Sequence, residues 1–269
     1  MVTYCNGETA RITEPTTREQ RAPAVVYLHG GSWIGGDHTS GGFIVDGIGP
    51  ALVAKGFVVA SVNYRLGPQH RWPAQIVDAK CAVRYLRAHA AALHVDPARI
   101  GIWGHSAGGH LASLVGTAGP AAGWDVGAYP AEPSRVEAVA DLAGPSNLVT
   151  LGAEGLPGVV RANFESLLGP LPPGDLPAAL AKASPVTYVS HGDPPFLIVH
   201  GDEDGIVPLA QSEELAGALR VADVPVTLVV VHGGGHALDE PGAQPDARQI
   251  EAMVVHFFET ELRPASTRA

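Results

Sequence analysis

The chain predicts an α/β fold: a mostly parallel sheet covered by helices on both faces. Three observations carry this. Short apolar runs bounded by Gly, Pro or polar turn residues recur along it, as strands buried on both faces do. Between them lie longer stretches whose apolar residues are spaced three and four apart, the helical period. The 33 glycines and 23 prolines among 269 residues punctuate these segments, as many short connections require. Strand and helix signals alternate, which defines the class. No internal repeat interrupts the pattern.

In chain order, Glu8 to Glu14 reads as an edge strand and Arg18 to Arg21 as a polar loop. Ala24 to Leu28 is an apolar run ending at His29-Gly30-Gly31, the pattern of a buried parallel strand. Phe57 to Val62 is a second strand. Pro73 to His89 has helical spacing through Ile76, Cys81, Val83 and Leu86. Arg99 to Trp103 is a third strand, and a helix follows Ser106. Val136 to Leu142 and Pro195 to Val199 are further strands, and Ser212 to Val221 is a helix. Val226 to Val231, β-branched and apolar, is the sixth strand. Asp246 to Leu262 closes the fold as a helix with Ile250, Met253, Val254, Phe257 and Phe258 on one side. The tail from Pro264 to Ala269 reads as frayed. Gly144 to Pro194 breaks the alternation. Rich in Pro and Gly, with a helical piece near Val159 to Leu168, it is too long for a simple loop and is expected to form a small cap over the site. The length suits one domain with a sizeable core.

Composition excludes several classes. With 46% hydrophobic and 16% charged residues the chain is of the ordinary soluble globular type. A net charge of −10 without a Lys/Arg block argues against nucleic acid and anionic membranes as partners. No apolar run is long enough to span a bilayer. The first residues lack a basic region followed by an apolar core, so a cytoplasmic location is expected. Only two cysteines occur, Cys5 and Cys81. Neither a disulfide framework nor zinc spacing is expected, and Cys81, inside a helical pattern, reads as a small buried hydrophobe. No acidic pair has metal-ligand spacing in a suitable context, so neither metal nor organic cofactor is expected.

The chemistry concentrates at Gly104-His105-Ser106-Ala107-Gly108. A Ser on a sharp strand-to-helix turn is a nucleophile elbow. The flanking glycines allow backbone to pack on backbone, and the following helix turns its N–H groups toward developing negative charge. A serine hydroxyl is a weak nucleophile and needs a general base, which needs an orienting partner. His236, in His232-Gly233-Gly234-Gly235-His236, is the candidate base. Asp204, in His200-Gly201-Asp202-Glu203-Asp204, is the candidate orienting group, with Asp202 as a rival. Both segments follow strands, where a parallel sheet presents its ligand-binding edge. Oxyanion donors are expected from the backbone N–H of Ala107 and from the loop His29-Gly30-Gly31-Ser32-Trp33.

With these pieces the chain resembles α/β-hydrolase-fold carboxylesterases, the group of hormone-sensitive-lipase-like and feruloyl-esterase-like enzymes with an HGGxW oxyanion loop. The matching segments are His29 to Trp33, Tyr64-Arg65-Leu66-Gly67-Pro68, the elbow, His200 to Asp204, and Gly235-His236. The resemblance implies a triad of Ser106, Asp204 and His236, with loop donors from Gly31 and Ser32. It implies hydrolysis of small-molecule carboxylic esters of short to medium acyl length through an acyl-enzyme. Two departures bear on the branch. Ser32 stands where hormone-sensitive-lipase-like loops usually carry a third glycine, as in feruloyl-esterase-like and kynurenine-formamidase-like relatives. The segment before the first buried strand is short, which implies a reduced N-terminal cap and a more open pocket.

Other readings stand beside this one. An amidase, peptidase or formamidase would use the same triad, and so would acyl transfer to another alcohol. A non-catalytic ligand-binding protein could share the scaffold. His29 and His200 read as scaffold residues. Trp33 and His105 are candidate substrate contacts, each weighed against simple packing. Phe43, Leu148 and Phe164 are candidate pocket residues for which core or cap packing is the plainer fate. His191 and His232 read as surface or loop residues, and the remaining carboxylates as solvated surface.

Overall fold

The computed structural model describes residues 1–16, 21–153, 158–172 and 174–263, with the backbone alone at 43–45, 153 and 158–161. Eight strands form one sheet: β1 (Val2–Thr3), β2 (Thr9–Thr13), β3 (Ala22–Leu28), β4 (Val58–Val62), β5 (Val95–His105), β6 (Ala138–Leu142), β7 (Phe196–Gly201) and β8 (Val226–Val231). Their spatial order is β1-β2-β4-β3-β5-β6-β7-β8. β1 and β2 run antiparallel, and every pairing from β4–β3 to β7–β8 is parallel. The expected architecture is the one observed.

The central strands earn their position by composition. Every residue of β3, β6 and β7 is buried, so both faces are apolar apart from Asp141 and His200, which are hydrogen-bonded. One face packs on α2 (Ala74–Ala88), α3 (Ala107–Thr117) and α7 (Ala210–Val221), through Val26, Ile102, Leu111 and Ile198. The other packs on α1 (Gly42–Ala54) and α8 (Ala247–Leu262), through Val25, Trp103, Leu52 and Phe258. α8 starts where Asp246 caps the N–H of Gln249 while the Gln249 side chain accepts the Asp246 N–H, a capping box. α1 has no strong helical pattern in the sequence and carries Pro50 in its interior. It is held by burial of Ile48 and Leu52 rather than by propensity.

Between β6 and β7 lie three short helices, α4 (Leu148–Ala153), α5 (Gly158–Leu168) and α6 (Leu176–Lys182). Gln211 of α7 anchors the start of this segment, its Oε1 accepting the N–H groups of Ser146 and Asn147 at 3.0 and 2.8 Å. Residues 18–20 of the expected polar loop, and the tail from Pro264, lie outside the described residues.

The structure corrects two expectations. Cys5 and Cys81 form a disulfide, with Cα atoms 6.3 Å apart across 76 residues of sequence. The β1–β2 hairpin lays Cys5 against α2. Spacing that long carries no local signal, and a buried cystine has the same apolar surroundings as a buried free thiol. Nor are all remaining acidic residues solvated. Asp78 and Asp141 are fully buried. Asp78 pairs with Arg65 at 2.8 Å and accepts from Asn6. Asp141 accepts the Ser113 hydroxyl at 2.6 Å and the Gly144 N–H at 2.9 Å. Buried charge is tolerated where hydrogen bonds replace water in this way.

Candidate active site

β5 ends at His105 and α3 begins at Ala107, so Ser106 alone makes the turn. Its φ of 56° and ψ of −121° place it in a region that non-glycine residues rarely occupy, at a cost of about 1–3 kcal/mol. The chain around it pays for this by close backbone packing. A Cβ on Gly104 would lie 2.3 Å from the carbonyl carbon of Gly108, and one on Gly108 would lie 2.0 Å from the Leu28 oxygen. Neither glycine can take a side chain while β3, β5 and α3 keep these positions.

The turn directs the Ser106 hydroxyl at His236. Ser106 Oγ donates to His236 Nε2 at 2.9 Å, and His236 Nδ1 donates to Asp204 Oδ2 at 2.7 Å. The three residues come from the ends of β5, β8 and β7, the edge where a parallel sheet gathers functional groups. Asp204 is closely held. Its Oδ1 accepts the N–H groups of Ile206 and Val207 at 2.8 and 2.9 Å, and His200 Nε2 lies 3.3 Å from Oδ2. Burial alone would raise its pKa. The hydrogen bonds from His200 and His236, the His236 charge and the Val207 N–H outweigh that and hold the carboxyl well below the usual range. Asp202, the rival, instead accepts from His232 at 2.8 Å and from the Gly233 N–H at 2.7 Å, away from His236.

The loop after β3 is built around unusual backbone. Gly31 has φ +112°, and a Cβ there would lie 2.3 Å from the Gly35 oxygen. Ser32 and Trp33 have φ of 54° and 63°. Tyr64 stacks on His29 at 4.2 Å and donates its hydroxyl to the His29 oxygen at 2.8 Å, while His29 Nδ1 donates to the Gly30 oxygen. Among the described residues, the N–H groups of Gly31, Ser32 and Ala107 donate no backbone–backbone hydrogen bond.

Three further histidines take scaffold positions. His200 is fully buried, with Nε2 donating to the Val207 oxygen at 2.8 Å and Nδ1 2.6 Å from the Ser212 hydroxyl. His105 does not face the pocket as a substrate contact would. Its Nε2 donates to the backbone oxygen of His236 at 2.7 Å. Burial, and then the neighbouring His236 charge, push its pKa down to about 4. The ring is therefore neutral near pH 7 and does not compete for the Ser106 proton. His110, which the sequence did not single out, accepts the Trp33 Nε1–H at 3.1 Å and donates to the Ala183 oxygen at 2.7 Å. Burial pushes its pKa to about 4, which keeps the accepting nitrogen free.

Trp33 is buried and walls a cavity of about 260 Å³ beside Ser106, Ser32 and Ala107. Among the described residues, Pro145, Leu151, Asn163 and Phe164 from the segment after β6, with Ile206 and Val207, also line it. Of the candidate pocket residues, Phe164 lines the cavity, Leu148 packs in the core, and the Phe43 side chain lies outside the described residues. Sequence gave no signal for Leu151, Asn163 or Ile206, which come from loops and short helices without a motif. Asp141 had one: a charged residue inside the otherwise apolar run Ala138 to Leu142.

A mainly parallel eight-stranded sheet with a strained Ser at the strand-to-helix turn defines the α/β-hydrolase fold. Within it, the chain belongs to the BD-FAE family, a feruloyl-esterase-like group, which it matches over residues 11–219. It is 32% identical over 240 residues to Esterase LipQ of Mycobacterium tuberculosis, covering 89% of this chain and 55% of that protein. The chain spans little more than half the length of the curated relatives it matches. Among solved structures it resembles a truncated form of carbohydrate esterase from gut microbiota, with a TM-score of 0.79, 29% identity, and coverage of 94% of this chain and 90% of that one. It also resembles the butyrate-bound form of a thermophilic esterase from Thermogutta terrifontis, with a TM-score of 0.76, 25% identity, and coverage of 98% and 92%. Among the described residues, no helix is long and apolar enough to cross a membrane.

Proposed function

We propose that this chain is a serine carboxylesterase that hydrolyses short- to medium-chain esters of small molecules through an acyl-enzyme. The observation that carries this is the hydrogen-bonded series from Ser106 through His236 to Asp204 at 2.9 and 2.7 Å. Ser106 Oγ attacks the ester carbonyl as His236 Nε2 takes its proton. The N–H groups of Gly31, Ser32 and Ala107 receive the oxyanion, supported by the N-terminus of α3. His236 then protonates the leaving alcohol, and water repeats the sequence on the acyl-enzyme. Asp204 holds the tautomer with its proton on Nδ1 and balances the imidazolium charge. The relatives named as esterases, and butyrate in one neighbour, support an ester of short acyl length.

In this reading residues 144–194 are a small cap on a single domain, because α5 supplies Asn163 and Phe164 to the cavity wall. The net charge of −10 argues against nucleic acid as a partner. On location, the Cys5–Cys81 disulfide favours an oxidising compartment over the cytoplasm. Matched p-nitrophenyl butyrate and butyryl p-nitroanilide test the function. The ester should have the larger kcat/KM, and Ser106→Ala should abolish its turnover. Faster anilide turnover, or an active Ser106→Ala protein, would overturn the proposal.

A further inference from the structure

We infer that the cavity beside Ser106 receives the acyl half of the ester, and that Phe164 sets the acyl length it accepts. This rests on the esterase reading above and adds which half of the substrate is measured, and by which residue. The leaving alcohol must lie against His236 Nε2, because that nitrogen delivers its proton. Neither His236 nor Asp204 lines the cavity. It is lined by Ser106 and Ala107 at the elbow, Ser32 and Trp33 from the loop after β3, four residues of the segment after β6, and Ile206 and Val207 just after Asp204. The cavity therefore abuts the nucleophile and two of the oxyanion donors rather than the proton donor, and the acyl chain leaving the carbonyl carbon enters it.

Its volume, about 260 Å³, falls below the roughly 300–1,000 Å³ typical of sites for drug-sized ligands. That suits a short straight acyl chain. Two aromatic walls bound it, and they differ in how they are held. Trp33 is fixed by its hydrogen bond to His110, which is in turn bonded to the Ala183 oxygen. Phe164 has no polar anchor. Its ring packs 6.2 Å from that of Trp33, and a Cβ placed on Gly152 would lie 3.8 Å from its edge. It comes from α5, and its ring contact is with Trp33 rather than with His236. Truncating Phe164 thus lengthens the cavity toward α4 and leaves the reacting groups in place.

The test measures kcat/KM for p-nitrophenyl acetate, butyrate, hexanoate and octanoate with wild type, Phe164→Leu and Phe164→Ala. Acetate esters of phenol and naphthol run in parallel to vary the alcohol alone, and melting curves establish folding. Each methylene that a pocket must exclude or admit is worth about tenfold or more. Wild type should fall steeply toward octanoate. Phe164→Ala should raise the octanoate-to-acetate ratio at least tenfold, with Phe164→Leu between, while the ranking of the two acetates stays unchanged. A uniform fall across all acyl lengths, or a change confined to the alcohol series, in an active folded protein would overturn the assignment alone. Should Phe164→Ala not fold, Phe164→Leu decides by the same ratio. A folded wild type inert to every ester would overturn the esterase reading, and this one with it.

Discussion

Replacing Asp204 by Asn should leave the fold intact and almost stop the reaction, and the hydrogen bonds say why. Asp204 Oδ1 accepts two backbone N–H groups, from Ile206 and Val207, and Oδ2 accepts from His236 Nδ1 and faces His200 Nε2. An Asn has one oxygen. Turned toward His236, it would set its NH2 against two fixed backbone donors. Turned toward the backbone, its favoured pose, it presents N–H to His236 Nδ1. The imidazole must then carry its proton on Nε2, where it cannot accept one from Ser106. The comparable tautomer trap in serine proteases costs about 10⁴-fold in kcat, or about 5 kcal/mol of barrier. The assay is kcat for p-nitrophenyl butyrate at neutral to mildly alkaline pH, with melting temperature as the folding control. Turnover within about tenfold of wild type would refute the tautomer argument.

Three other changes probe the supports around the site. His105→Phe removes the donor to the His236 backbone oxygen; a lost buried hydrogen bond costs about 1–3 kcal/mol of stability, and kcat should fall, with His105→Gln restoring part of both. Double substitution of Cys5 and Cys81 by Ala should lower unfolding free energy in urea by about 2–5 kcal/mol, given a loop of 76 residues; an unchanged midpoint would exclude a disulfide in the folded protein. Asp141 provides a pH test. Burial, opposed by the Ser113 hydroxyl, pushes its pKa up to about 6, so between pH ~4 and ~6 the folded state binds more protons than the unfolded. Its contribution is complete at low pH and is lost as pH rises through that window, a change of about 3 kcal/mol. Asp141→Asn should therefore flatten this part of the stability profile and gain most above pH 6; an unaltered slope would contradict it.

What the sequence made legible was set by local physics. Ala24 to Leu28 and Val226 to Val231 read as strands because burial on both faces demands unbroken apolar runs. Ser106 stood out because a strained turn under packed backbone needs glycine on both sides, and Gly104 and Gly108 have no room for a Cβ. His236 and Asp204 followed from their places after strands; position alone left Asp202 as a rival, the family resemblance favoured Asp204, and the reason is spatial, since two carboxylates two residues apart on one turn leave in different directions. The illegible parts are long-range. α1 has glycines and an internal proline and is helical because α8 covers it. Cys5 meets Cys81 through the path of the β1–β2 hairpin. His105 is adjacent to the nucleophile in sequence, yet its ring serves the backbone of His236, a contact across 131 residues.

The proposed reaction depends on one alcohol oxygen becoming a nucleophile. Brief reaction of the folded protein with a fluorophosphonate probe, followed by peptide mass mapping, reads this directly. A single adduct on the Ser106 peptide, absent from Ser106→Ala and slowed by orders of magnitude in His236→Ala, is the predicted result. A folded protein left unlabelled, or labelled at another residue, would contradict it.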